Sequence, residues 1–204
     1  MNFLSPILLT AAINIDTLKI SLSSKSEYSI SLKFKIMSAS IFTTVITFFA
    51  LCLGKIIDIY FTHNLSNIFG SVLLGFVAIY YIVEHIRIQK DKEGYDTSFY
   101  VENFKNAKNV IELDNPYICS NNIKNLMDVS IALSLNNIWP CIAGSLTHIS
   151  IPLTVFFNFL MCIIFYIIGT SLSNTSVIKF IKSYHYIISA FLLIILSLFE
   201  GFIA

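Results

Sequence analysis

Two segments carry polar residues whose types and spacing suit the capture of a small cation. In the first, Asn14 and Asp16 interrupt an apolar stretch, and Lys19 follows the carboxylate three residues on. In the second, Asn136 and Asn137 come just before Pro140. A carboxylate near the middle of a membrane helix costs about 2.5 to 3.5 kcal/mol on insertion scales, so Asp16 needs a partner or a purpose. Lys19 shares its helical face and offers an internal ion pair. A path through a bundle interior, with Asn136 opposite, is the other reading. Pro140 has no N–H to give the Asn136 carbonyl, which frees one backbone oxygen. That oxygen, Asp16 and the side chains of Asn14, Asn136 and Asn137 form an oxygen-rich set of the kind that hard divalent ions such as Mn²⁺ favour. Proline kinks also occur in membrane helices with no ion nearby, because neighbours satisfy the freed group.

These residues must be positioned by helices in lipid. Of the 204 residues, 56% are hydrophobic and 12% charged, whereas a soluble domain averages about 45–50% and about 25%. The net charge of +1 leaves no basic field for a nucleic acid. No Asp, Glu, Lys or Arg occurs in residues 36–54, 59–83, 129–178 or 183–199. A membrane helix needs about 20 such residues, so the third run holds two, divided around Ser145, Thr147, His148, Ser150 and Pro152. Residues 3–23 supply another, with Pro6 in its first turn where a missing N–H is harmless. The expected fold is all-α, a polytopic membrane protein of six transmembrane helices. No cation precedes Lys19, so no cleaved signal peptide is expected.

Lys and Arg are retained on the cytoplasmic side of a membrane. Lys25, Lys33 and Lys35, then Arg87, Lys90, Lys92, Lys105, Lys108 and Lys124, then Lys179 and Lys182 fall in alternate loops, against Lys55 alone on the other side. The expected location is the cell membrane, with both termini outside and the central loop inside. Residues 1–88 form a first three-helix repeat, 89–122 a cytoplasmic linker and 123–204 a second repeat. Three helices per half make related halves inverted in the membrane, as in many secondary transporters. Residues 8–23 align without gaps on residues 128–143, which sets Ala12 on Ala132, Asn14 on Ser134 and Asp16 on Asn136.

Other polar residues suggest less. Ser130, Ser134, Asn137, Cys141 and Gly144 form a small and polar stripe, more typical of a helix seam than of a ligand site. Glu84, His85, Asp128 and Glu200 are expected as interfacial anchors, and His63, His148 and His185 as loop or interface residues. Cys52, Cys119, Cys141 and Cys162 show no CxxC spacing, and no HExxH occurs, so neither a zinc site nor membrane-protease chemistry is expected. The chain reads as a non-enzyme without a cofactor. Its partners are the lipid bilayer and a small cation. The linker mixes both charge signs and contains no legible docking motif for a protein.

AAINIDT (residues 11–17) and IALSLNN (residues 131–137) resemble the paired A-x-S-x-D motifs of the manganese efflux pump family, MntP. GSVLLG (residues 70–75), the glycines ending the second helix of each half and LDNPYICSNNI (residues 113–123) are similar to its sporulation branch. The resemblance covers the whole chain. It implies a transporter whose two motif acids, one from each half, form the cation site and fall here on Asp16 and Asn136. The chain departs from that pattern: Asn136 stands for the second acid, Asn14 for the first motif serine, and Lys19 adds a cation. The implied site thus goes from doubly negative to neutral. A neutral site in a low dielectric holds a divalent ion poorly.

Overall fold

The computed structural model describes residues 3–23, 30–92, 123–171 and 177–202. Among them lie six helices: α1 (Leu4–Ser23), α2 (Ile30–Asp58), α3 (His63–Lys92), α4 (Ile123–Leu146), α5 (Ile151–Ser171) and α6 (Val177–Phe202). Four hold stretches long and apolar enough to cross a membrane: Ser40–Asp58, His63–Gln89, Ile151–Gly169 and Ser183–Phe202. The division of residues 129–178 around Ser145 to Pro152 matches the α4–α5 turn. Helix α3 runs on to Lys92, beyond the boundary expected at 88, and the linker that follows lies outside the described residues.

Local chemistry sets the helix ends. Pro6 sits in the first turn of α1, where its carbonyl accepts the Thr10 hydroxyl at 2.7 Å. Helix α4 stops at a left-handed residue, His148 (φ 59°). There the His148 N–H reaches Ser145 O and the Ile149 N–H reaches Gly144 O, the paired bonds of a Schellman cap. Ser150 then opens α5, accepting the Thr154 N–H at 3.0 Å.

The packing suits lipid as the solvent. Phe48, Phe49, Phe76, Phe156 and Phe191 point outward, whereas Thr10, Asn14, Thr17, Ser40, Thr43, Thr47, Thr154 and Asn158 are buried. Lipid tails give helices no hydrophobic reason to associate, so small and polar side chains fill the seams between them. Leu9, Ala12, Ile13, Leu51, Leu74, Ala78, Leu193 and Leu196 complete the core. Helix α1 packs on α4, α5 and α6, and α4 on α1, α2 and α3. These two helices, each packed on three others, occupy the centre.

Several contacts between the first three helices and the last three occur twice. A Cβ added at Gly54 would stand 2.6 Å from Ser145 Cβ and 2.7 Å from Ile142 O, and one at Gly169 would stand 2.6 Å from Ser21 Cβ and 3.1 Å from Leu18 O. Cys141 lies against Thr47, and Cys162 against Thr17. Thr43 donates to Cys162 Sγ at 3.8 Å, and Asn158 donates to Thr47 at 3.3 Å. The Ala12 carbonyl receives the Ser189 hydroxyl at 3.0 Å, and the Asn136 carbonyl receives that of Tyr81 at 3.2 Å.

Candidate cation site

Helix α1 carries Asp16 into the middle of the bundle, where it is 6% exposed. Its Oδ2 accepts the Nδ2 amide of Asn136 on α4 at 2.5 Å. Its Oδ1 is buried and makes no hydrogen bond, with Nε2 of His185 on α6 at 4.0 Å. Lys19 acts on the carboxylate through its charge. Its Nζ lies 3.2 Å from His185 Nε2 and 5.8 Å from the centre of the Tyr186 ring. Of the two partners considered for Asp16 on sequence grounds, Asn136 is hydrogen-bonded to it and Lys19 reaches it through its charge.

The other expected ligands are placed differently. Asn14 lies two residues before Asp16, about 200° around the helix at 3.6 residues per turn. Its Nδ2 donates to Thr10 O at 2.9 Å and to Asn158 Oδ1 on α5 at 2.7 Å. Asn158 in turn donates to Thr44 and Thr47 on α2. Asn14 thus belongs to a neutral seam among α1, α2 and α5. Asn137 is buried on α4 about 100° around from Asn136. The carbonyl that Pro140 leaves without a backbone donor is not free, because the Tyr81 hydroxyl of α3 donates to it.

His185 is the residue that the sequence reading missed. It is 4% exposed and lies in α6, two residues into the Ser183–Phe202 apolar stretch, not in a loop. The signal was present: His185, Ser189, Leu193, Leu196 and Glu200 recur at helical spacing, and all five are buried. Glu84, His85 and Glu200 are also buried. His85 stacks on Tyr184 at 5.7 Å, Glu84 lies 3.9 Å from Arg87, and the Glu200 carbonyl receives Asn67. Of the small and polar stripe on α4, Cys141 and Gly144 are buried in helix contacts, with Gly144 against Leu9. Ser130, Ser134, Asp128 and Cys119 have no described side chains. The described cysteines are free thiols.

A second polar group closes one end of the bundle. Asp58 pairs with Lys55 at 2.6 Å, accepts the Ser66 hydroxyl and lies 3.5 Å from His148 Nδ1. His63 stacks on His148 with ring centres 4.0 Å apart. This group ties the α2–α3 turn to the α4–α5 turn. Among the described residues, no set of three or more His, Cys, Asp or Glu side chains is arranged to hold a metal ion.

No protein family, curated protein or solved structure matches the chain. The chemistry of the site rests on its own geometry: one buried carboxylate, one amide, one ammonium and one imidazole, contributed by α1, α4 and α6.

Proposed function

We propose that this chain is a six-span membrane protein, built as two inverted three-helix repeats, that carries a small cation past Asp16 and Asn136 through a site weakened by Lys19. The observation that carries this reading is the part-buried hydrogen bond between those two side chains, one from the first of the first three helices and one from the first of the last three. Ionisable residues inside membrane bundles usually mark ion or substrate paths.

The twofold recurrence of contacts supports the repeat. Exchanging α1 with α4 and α2 with α5 turns the Gly169–Ser21 approach into the Gly54–Ser145 approach, and the Thr17–Cys162 contact into Cys141–Thr47. The register of these contacts sets Ser21 on Ser145 and Ala12 on Asn136. That is one helical turn away from the alignment that sets Asp16 on Asn136. The concentration of lysine and arginine at and around the α1–α2, α3–α4 and α5–α6 connections supports a cell-membrane protein with both termini outside.

Manganese is the cargo suggested by the resemblance to the manganese efflux pump family, and the site suits it poorly. Asn136 presents its N–H to Asp16, its carbonyl is taken by Tyr81, and Lys19 cancels the one carboxylate charge. The test is the metal content of cells with and without the gene under Mn²⁺ excess. The reading predicts a small fall in Mn²⁺ that disappears with Asp16→Asn. Export as strong as that of a dedicated pump contradicts the weakened site.

A second reading is a non-transporting scaffold or assembly factor of sporulating cells. The capped Asn136 carbonyl and the Lys19 charge favour it, since both stabilise a closed bundle. It predicts no change in the content of any cation in that comparison, and normal assembly when Asp16 and Lys19 are both replaced by neutral residues.

A further inference from the structure

We infer that the Lys19 ammonium is a built-in occupant of the cation site, which makes it a site for a monovalent primary ammonium group and not for a divalent metal ion. This inference rests on the cation-site reading of Asp16 and names the chemical class that the site takes.

Charge is the first argument. Among the described residues Asp16 is the one carboxylate at the site, and a divalent ion would leave it positive even without Lys19. Unneutralised charge in a low dielectric is costly, so a single positive charge is the matching load.

The acceptors point the same way. Divalent ions want several oxygens around them, but Asn136 turns its side-chain N–H, a donor, to Asp16, and its backbone carbonyl already accepts the Tyr81 hydroxyl. An ammonium group has three N–H donors and no acceptor. The site offers it three kinds of acceptor. His185 Nε2 lies 3.2 Å from Lys19 Nζ. The Tyr186 ring lies 5.8 Å away, within the roughly 6 Å reach of a cation–π contact. Asp16 Oδ1 is buried without a hydrogen bond, an arrangement that is costly unless a donor comes to it. Imidazole, aromatic face and carboxylate together are ammonium chemistry. Lys19 supplies that group on a tether.

The experiment removes the tether and offers the free group. Purified full-length Lys19→Ala is melted in detergent with n-propylammonium chloride, sodium chloride or manganese chloride at equal ionic strength. Propylammonium is expected to raise its melting midpoint by at least about 2 °C, the scale of a 1 kcal/mol gain in a chain of this size. Neither sodium nor manganese should do so. Wild type and the Asp16→Asn, Lys19→Ala double variant should not respond to propylammonium. Should Lys19→Ala fold poorly, Lys19→Met keeps the stem, and methylammonium binding is then measured by calorimetry with and without Asp16→Asn. Stabilisation by manganese equal to that by propylammonium, rescue that survives Asp16→Asn, or no methylammonium binding to folded Lys19→Met would overturn the inference. Because the readout is binding by purified protein, a chain that transports nothing can still pass this test, and an exporter of Mn²⁺ can fail it.

Discussion

Asp16 and Asn136, 120 residues apart, meet through a 2.5 Å hydrogen bond at the crossing of α1 and α4. The bond leaves one carboxylate oxygen without a hydrogen bond, 4.0 Å from His185 Nε2, which in turn lies 3.2 Å from Lys19 Nζ. One side chain from each half of the chain thus closes a buried polar centre in a bundle that turns its large apolar residues outward. The centre has one negative charge, and Lys19 answers it.

Opposite charges that share a buried site stabilise as a pair. Lys19→Ala alone should lower the folded yield by leaving the Asp16 carboxylate unneutralised, and adding Asp16→Ala should recover much of the loss. Size-exclusion profiles of the two variants and the double variant measure this. Strictly additive losses would show that Asp16 relies on Asn136 and not on Lys19.

The Tyr81 hydroxyl replaces the N–H that Pro140 lacks. Tyr81→Phe should therefore cost about 1–3 kcal/mol, the penalty for an unsatisfied buried carbonyl. In a Pro140→Ala background, where the residue at 140 has its own N–H to offer, the same change should cost much less. Thermal melts of the four proteins give this double-mutant cycle. Equal costs in both backgrounds would separate Tyr81 from the proline.

Ordinary helix patterns made much of the fold legible. Lipid demands long apolar runs, so charge-free stretches located the helices, and the polar insertion at Ser145 to Pro152 located the α4–α5 turn. Asp16 and Asn136 were legible because a carboxylate and an amide are expensive in an apolar helix. His185 was not, because a histidine shortly after Lys179 and Lys182 looks interfacial until the helix is known to begin at Val177. The packing register of the halves was hidden too, since apolar helices align almost equally well one turn apart. The Gly54–Ser145 and Gly169–Ser21 approaches, with the Thr47–Cys141 and Thr17–Cys162 contacts, distinguish the two registers.

Those glycines yield a prediction of their own. Gly54→Ala and Gly169→Ala each put a methyl group where Ser145 or Ser21 already stands, and each should destabilise by about 1–3 kcal/mol through overpacking. Gly54→Ala combined with Ser145→Gly should recover part of the loss. Thermal melts check it, and an unperturbed Gly54→Ala would argue against close approach of α2 and α4.

The charge distribution predicts topology. A cysteine introduced at Lys105, in a background with Cys119→Ser, should resist an impermeant thiol reagent added to intact cells and react once the membrane is opened. One introduced at Lys55 should react in intact cells. The opposite pattern reverses the orientation.

The proposed cation site has one carboxylate among the described residues, Asp16, and the Lys19 charge acts against it. Asn136→Asp with Lys19→Ala replaces the amide beside Asp16 by a second acid and removes the ammonium, so the site becomes doubly negative. Charge in a dry site is poorly screened, and divalent affinity should rise strongly. The decisive measurement is intracellular Mn²⁺ in a manganese-sensitive host lacking its own exporter, expressing wild type or the double variant at equal membrane levels. The account predicts little export by wild type and clear export by the double variant. A folded double variant that leaves Mn²⁺ unchanged would contradict a cation path through Asp16 and Asn136.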